Sequence, residues 1–95
     1  MTVGVHWVGA TRAADASQAA YFRGLLADQR QETMSELARS HARLRDCMAG
    51  GQVVGLRAMA RMRSEVREFE AKKKELDRLI AALDRRFSAL WSQRG

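Results

Sequence analysis

His41, Asp46 and Cys47 place an imidazole, a carboxylate and a thiol close together in this chain, the residue types from which an activated nucleophile is built. Helical spacing works against that use. Six residues of α-helix put His41 and Cys47 about 120° apart around the axis and about 9 Å apart along it, beyond hydrogen-bond reach. Both are read as packing or seam-edge residues. The carboxylates offer no better pattern: Glu65, Glu68, Glu70, Glu75, Asp77 and Asp84 are spread along one stretch with no Glu-x-x-His pair. Two histidines and one cysteine lack zinc-site spacing, and the single cysteine excludes an intrachain disulfide. The expectation is a non-enzymatic protein with no cofactor, no metal and no small-molecule substrate.

A second kind of chemistry lies in the arginines. The net charge is +6 and the isoelectric point about 10.7, so anionic partners suit the chain. The charge is uneven: 13–49 is neutral, whereas 50–95 carries the surplus. Around Gly50 the residues Arg39, Arg43, Arg45, Arg57, Arg61, Arg63 and Arg67 are opposed only by Asp46 and Glu65. The forked donors of arginine match phosphate oxygens, and Arg57/Arg61 and Arg63/Arg67 fall away from the apolar face of their helix. No aromatic residue is interleaved for base stacking, and no helix-turn-helix or zinc-finger pattern occurs. A solvated basic face or an acidic protein partner is the favoured reading of Arg39, Arg43, Arg57, Arg61, Arg63 and Arg67. The alternative is a nucleic-acid-associated protein that contacts phosphates through them. The strong preference for arginine over lysine fits a GC-rich, bacterial coding sequence.

The elements that must position these side chains are helical. Proline is absent, 46% of residues are hydrophobic and 29% charged, a balance that suits long helices. Met59, Met62, Val66, Phe69, Leu76, Ile80, Leu83, Phe87 and Leu90 recur on an alternating four-three spacing, broken only at Lys73. That is the seam of a long helix with a partner. Gly50-Gly51 is the clearest break in the chain. The sequence predicts helix one over about 12–49, capped by Asp15 with Gln18 or by Thr11, a turn at 50–51, and helix two over about 52–92. A short turn returns the second helix antiparallel to the first, which makes an αα-hairpin. Phe22, Leu25, Leu26, Met34, Leu37, Leu44 and Met48 are expected to form the apolar stripe of helix one, with Ala19 and Cys47 at its margins. With the turn centred near residue 50, facing residues sum to roughly 100, give or take a turn of helix. Leu44 then lies near Leu56 and Met59, Leu37 near Met62 and Val66, and Phe22 with Leu26 near Leu76, Leu79 and Ile80. Arg30 is expected to meet Glu70, and Asp28 or Gln29 to meet Lys73.

The overall expectation is an all-α protein: two long antiparallel helices in a coiled-coil-like hairpin, dimerising into a four-helix bundle. The alternation of Val3, Val5 and Trp7 with Thr2, Gly4 and His6 predicts a short extended or loosely ordered segment over 1–10, with 11–95 as the hairpin. Trp7, Tyr21, Phe22, Phe87 and Trp91 gather at the open end. With Leu25, Leu79, Leu83 and Leu90 they form the expected interface for a second copy or a helical partner protein. No run is long and apolar enough for a membrane span and no secretory leader is recognisable, so the expected location is the cytoplasm. In size and hairpin plan the chain is similar to small secreted WXG-type hairpins. Those carry Trp-x-Gly in the turn, whereas here Trp7-Val8-Gly9 is N-terminal and the turn reads Ala49-Gly50-Gly51.

Overall fold

A computed structural model describes the backbone of residues 2–50 and 55–92 and the side chains of residues 12–50 and 55–92. Two helices, α1 (Thr2–Ala49) and α2 (Leu56–Ser92), pack antiparallel as a hairpin, with no strand among the described residues. The molecule is a rod of 75 × 24 × 15 Å with a radius of gyration of 21.1 Å, where a globular chain of this length would have about 12 Å. Each helix therefore buries one stripe and leaves the rest of its circumference to solvent or to a partner. No helix among the described residues is long and apolar enough to cross a membrane.

The N-terminal segment differs from expectation. Residues 2–10 are not extended; they continue α1 without a break. A helix already nucleated gains about one hydrogen bond for each further residue fixed, which offsets the roughly 1 kcal/mol that each of Gly4 and Gly9 costs relative to alanine. α1 ends at Ala49 as expected. At Gly50 a Cβ would lie 2.7 Å from the Asp46 carbonyl oxygen, so crowding demands glycine there. The expected turn residue Gly51 and helix start at 52–53 lie outside the described residues. The described part of α2 begins at Leu56, and the Met59 amide donates to the Gly55 carbonyl at 3.1 Å. Gly55 thus precedes the helix instead of weakening its first turns, a capping position that glycine tolerates.

In the hairpin, α2 uses the seam that its spacing predicts, including Lys73; Val66, Leu76 and Phe87 are buried and the other seam residues half-buried. On α1 the buried line keeps Leu26, Leu37 and Leu44 of the expected stripe and its margins Ala19 and Cys47, but not Phe22, Leu25, Met34 or Met48. It runs Ala16, Ala19, Arg23, Leu26, Arg30, Thr33, Leu37, Ser40, Leu44 and Cys47, again in alternating threes and fours, and every member is buried or half-buried. Ala19 sits in the core, whereas Phe22, Leu25, Met34 and Met48 are exposed. The reason is complementarity of size: small residues on α1 leave room for the bulky ones of α2, and Phe87 packs on Ala16 and Ala19. The polar members satisfy themselves. Thr33 Oγ1 donates to the Gln29 carbonyl at 2.8 Å, and Ser40 Oγ accepts from Arg43 Nη2 at 3.1 Å. No buried side-chain polar atom among the described residues lacks a partner.

The register also differs. Ala16 faces Trp91, Arg23 faces Asp84 and Arg30 faces Asp77, pairs whose numbers sum to 107. The expected contact of Arg30 with Glu70 is replaced by Arg30–Asp77, and Lys73 bonds Asp77 on its own helix at 3.0 Å instead of Asp28 or Gln29. Glu70 lies 3.6 Å from His41. The change in the ion pairs equals one heptad, so the seam stays in phase; the expected polar pairings are replaced, whereas Phe22 and Leu26 share a groove with Leu79 as expected.

Candidate protein interface and basic tip

The two flanks of the hairpin differ in chemistry because each is built from residues seven apart on both helices. One flank carries ion pairs across the helices. Arg23 grips Asp84 with two donors, Nε to Oδ1 at 2.5 Å and Nη2 to Oδ2 at 3.1 Å. One heptad further on, Arg30 Nε donates to Asp77, which also receives Lys73. These cations hold the carboxylates below their ordinary pKa: the hydrogen bond from Arg23 dominates at Asp84, and that from Arg30, then Lys73, at Asp77. Next in the same direction comes the His41–Glu70 pair. At the open end Trp91 Nε1 donates to the Ala16 carbonyl at 2.9 Å, and the indole stacks on Phe87 with ring centroids 5.9 Å apart. The charged side chains of this flank are partnered within the hairpin, around a polar hollow of about 410 Å³ lined by Arg23, Ala27, Arg30, Gln31, Asp77 and Ile80.

The opposite flank is apolar at the same level. Phe22, Leu26, Leu79, Ala82, Leu83 and Arg86 line a groove of about 250 Å³. A more polar hollow adjoins it, sharing Phe22 and Arg86 and reaching Asp15, Gln18, Ala19 and Phe87. The Arg86 guanidinium lies 5.1 Å from the centroid of the Phe87 ring. Phe22 is 57% exposed, Tyr21 70%, Leu25 44% and Leu79 36%. Of the residues expected at an interface, these four are open. Phe87 is buried within the hairpin, and Leu83, Leu90 and Trp91 are half-buried against its cluster. The Trp7 side chain lies outside the described residues. Ala82 and Arg86 were not singled out by sequence, although both share a helical face with Leu79.

At the other end, two of the candidate anion-binding arginines are engaged. Arg39 pairs with Glu36, and Arg43 Nη2 reaches Glu65 at 3.2 Å as well as Ser40. Arg45, Arg57, Arg61, Arg63 and Arg67 are exposed and form no ion pair among the described residues. Cys47 is a half-buried free thiol at the end of the seam, and His41 is turned to Glu70 on the other helix. No cluster of metal-ligating side chains occurs among the described residues. Comparison with known protein families, characterised proteins and solved structures finds no match.

Proposed function

We propose that the protein is a non-enzymatic helical interaction module, a scaffold or adaptor working in the cytoplasm, that pairs with a second copy of itself through the groove between Phe22 and Leu79. The supporting observation is the concentration of exposed apolar side chains, Tyr21, Phe22, Leu25 and Leu79, on and beside one flank, while the opposite flank at the same level is polar and lined by ion pairs. A two-helix layer only 15 Å thick has no second layer to cover that flank. A second hairpin supplies one, and two-fold pairing buries the same residues on both copies in a four-helix bundle. The unpaired arginines choose the orientation: copies that run in opposite directions keep the two basic tips apart.

Sedimentation equilibrium tests the reading. The expected result is a dimer that persists in high salt, because apolar burial is not screened, and a monomer on Leu79→Glu or Phe22→Glu with helicity retained. A wild-type protein that stays monomeric at the highest attainable concentration would overturn it.

A further inference from the structure

We infer that the hairpin tip binds the phosphate backbone of double-stranded nucleic acid. The inference concerns the turn end of the rod, away from the groove, and does not rest on self-association. Five arginines of the hairpin are paired with acids, Arg23 with Asp84, Arg30 with Asp77, Arg39 with Glu36, Arg43 with Glu65 and Arg78 with Glu75, while Arg12, Arg85 and Arg86 at the other end form no ion pair among the described residues but are not joined there by a run of unopposed arginines. Between Leu56 and Arg67 the sole acid, Glu65, is taken by Arg43 from the other helix. Arg57, Arg61, Arg63 and Arg67 are left exposed without an opposing charge, and Arg45 is exposed on α1 at the same end.

Their placement suits a polyanion. At 100° per residue the four arginines of α2 spread over an arc of about 160° on the side away from the seam, and they cover about 15 Å of helix. Over that length a duplex presents about nine phosphate charges. A planar guanidinium binds phosphate oxygens bidentately at little cost in hydration. The duplex is favoured over a single strand because stacking platforms are absent: Phe69, the aromatic nearest these arginines on α2, is half-buried in the seam. Recognition that uses guanidinium groups alone reads charge and not base sequence.

The test is fluorescence anisotropy with two 24-base-pair DNA duplexes of unrelated sequence, one of their single strands, and poly-glutamate as an acidic polypeptide. Wild-type protein is expected to bind both duplexes equally and more tightly than the other two probes. The logarithm of affinity should fall with the logarithm of salt at a slope of about −4, one released counterion for nearly every arginine engaged. Changing Arg57, Arg61, Arg63 and Arg67 together to Gln should cost at least a hundredfold in affinity at low salt, with helicity by circular dichroism unchanged. Lys72, Lys74, Arg78 and Arg85 changed to Gln remove the same charge elsewhere and should cost less than tenfold. Absence of duplex binding at low salt, equal loss in both quadruple variants, or preference for poly-glutamate or the single strand would each overturn the inference. The Leu79→Glu protein should keep its tip contacts, so failure of dimerisation and failure of duplex binding are read separately.

Discussion

Phe22 and Phe87 are alike in chemistry and opposite in role, and the difference is set by which heptad position each occupies. Phe87 stands on the α2 seam, 9% exposed, over Ala16 and Ala19. Phe22 stands one step off the α1 seam and remains 57% exposed. Phe87→Ala therefore removes a buried ring and leaves a cavity, at a cost of about 3 kcal/mol. Phe22→Ala should change the stability of a single hairpin by less than about 0.5 kcal/mol. Urea unfolding of both variants in a Leu79→Glu background, where dissociation does not enter, measures the contrast. Equal destabilisation by the two would show that α1 turns Phe22 inward. Trp91→Phe keeps the stack on Phe87 but loses the bond to the Ala16 carbonyl, and its expected cost in the same experiment is about 1 kcal/mol.

At the scale of the helices, α2 was legible because large apolar residues mark its seam, and α1 only in part, because Leu26, Leu37 and Leu44 share its seam with Ala16, Ala19, Thr33, Ser40 and two arginines. Choosing α1's stripe by hydrophobicity finds Leu26, Leu37 and Leu44 but adds Phe22, Leu25, Met34 and Met48, which lie off the seam. The hairpin and its break at Gly50 could be read from the sequence; the register could not, since a heptad pattern looks the same after a slip of seven. A usable signal was present: Arg23 and Arg30 are seven apart, as are Asp77 and Asp84. If these ion pairs fix the register, Arg30→Asp and Asp77→Arg should each lower the melting temperature, and the double exchange should recover most of the loss. A double variant as unstable as the summed single changes would assign the register to the apolar layers alone. The same carboxylates predict the acid limb. Their pKa is depressed in the fold, so their contribution is complete above the unfolded carboxylate value of about 3.9 and is lost as pH falls through the lower folded value. Thermal stability should accordingly drop below about pH 4, with a shallower drop in Asp77→Asn/Asp84→Asn; an unchanged drop would place the acid sensitivity in other carboxylates.

For the whole molecule, the separation of an apolar flank from a basic tip gives the proposed pairing two distinguishable directions. The groove sits near Leu26 and Leu79, in the middle of α1's length, while the unpaired arginines crowd the end of the rod. Two hairpins that share the groove and run in opposite directions present one basic tip at each end of the bundle, so a dimer can hold two duplex segments. Hairpins that run in the same direction would bring ten exposed arginines together, five from each tip, and would make one site. A pair of spin labels distinguishes the two. On a Cys47→Ser background, Met48→Cys gives a single attachment point at an exposed residue near the tip. With the two-fold axis through the groove, opposed hairpins separate the labels by on the order of 70 Å along the bundle, from the 1.5 Å rise of α1 between the groove and residue 48. Hairpins in the same direction would keep them within a few tens of ångströms, a span comparable to the 24 Å width of the rod. The long distance is expected, and it should vanish in Leu79→Glu; a short distance in the dimer would reverse the orientation and reduce its two tips to one combined site.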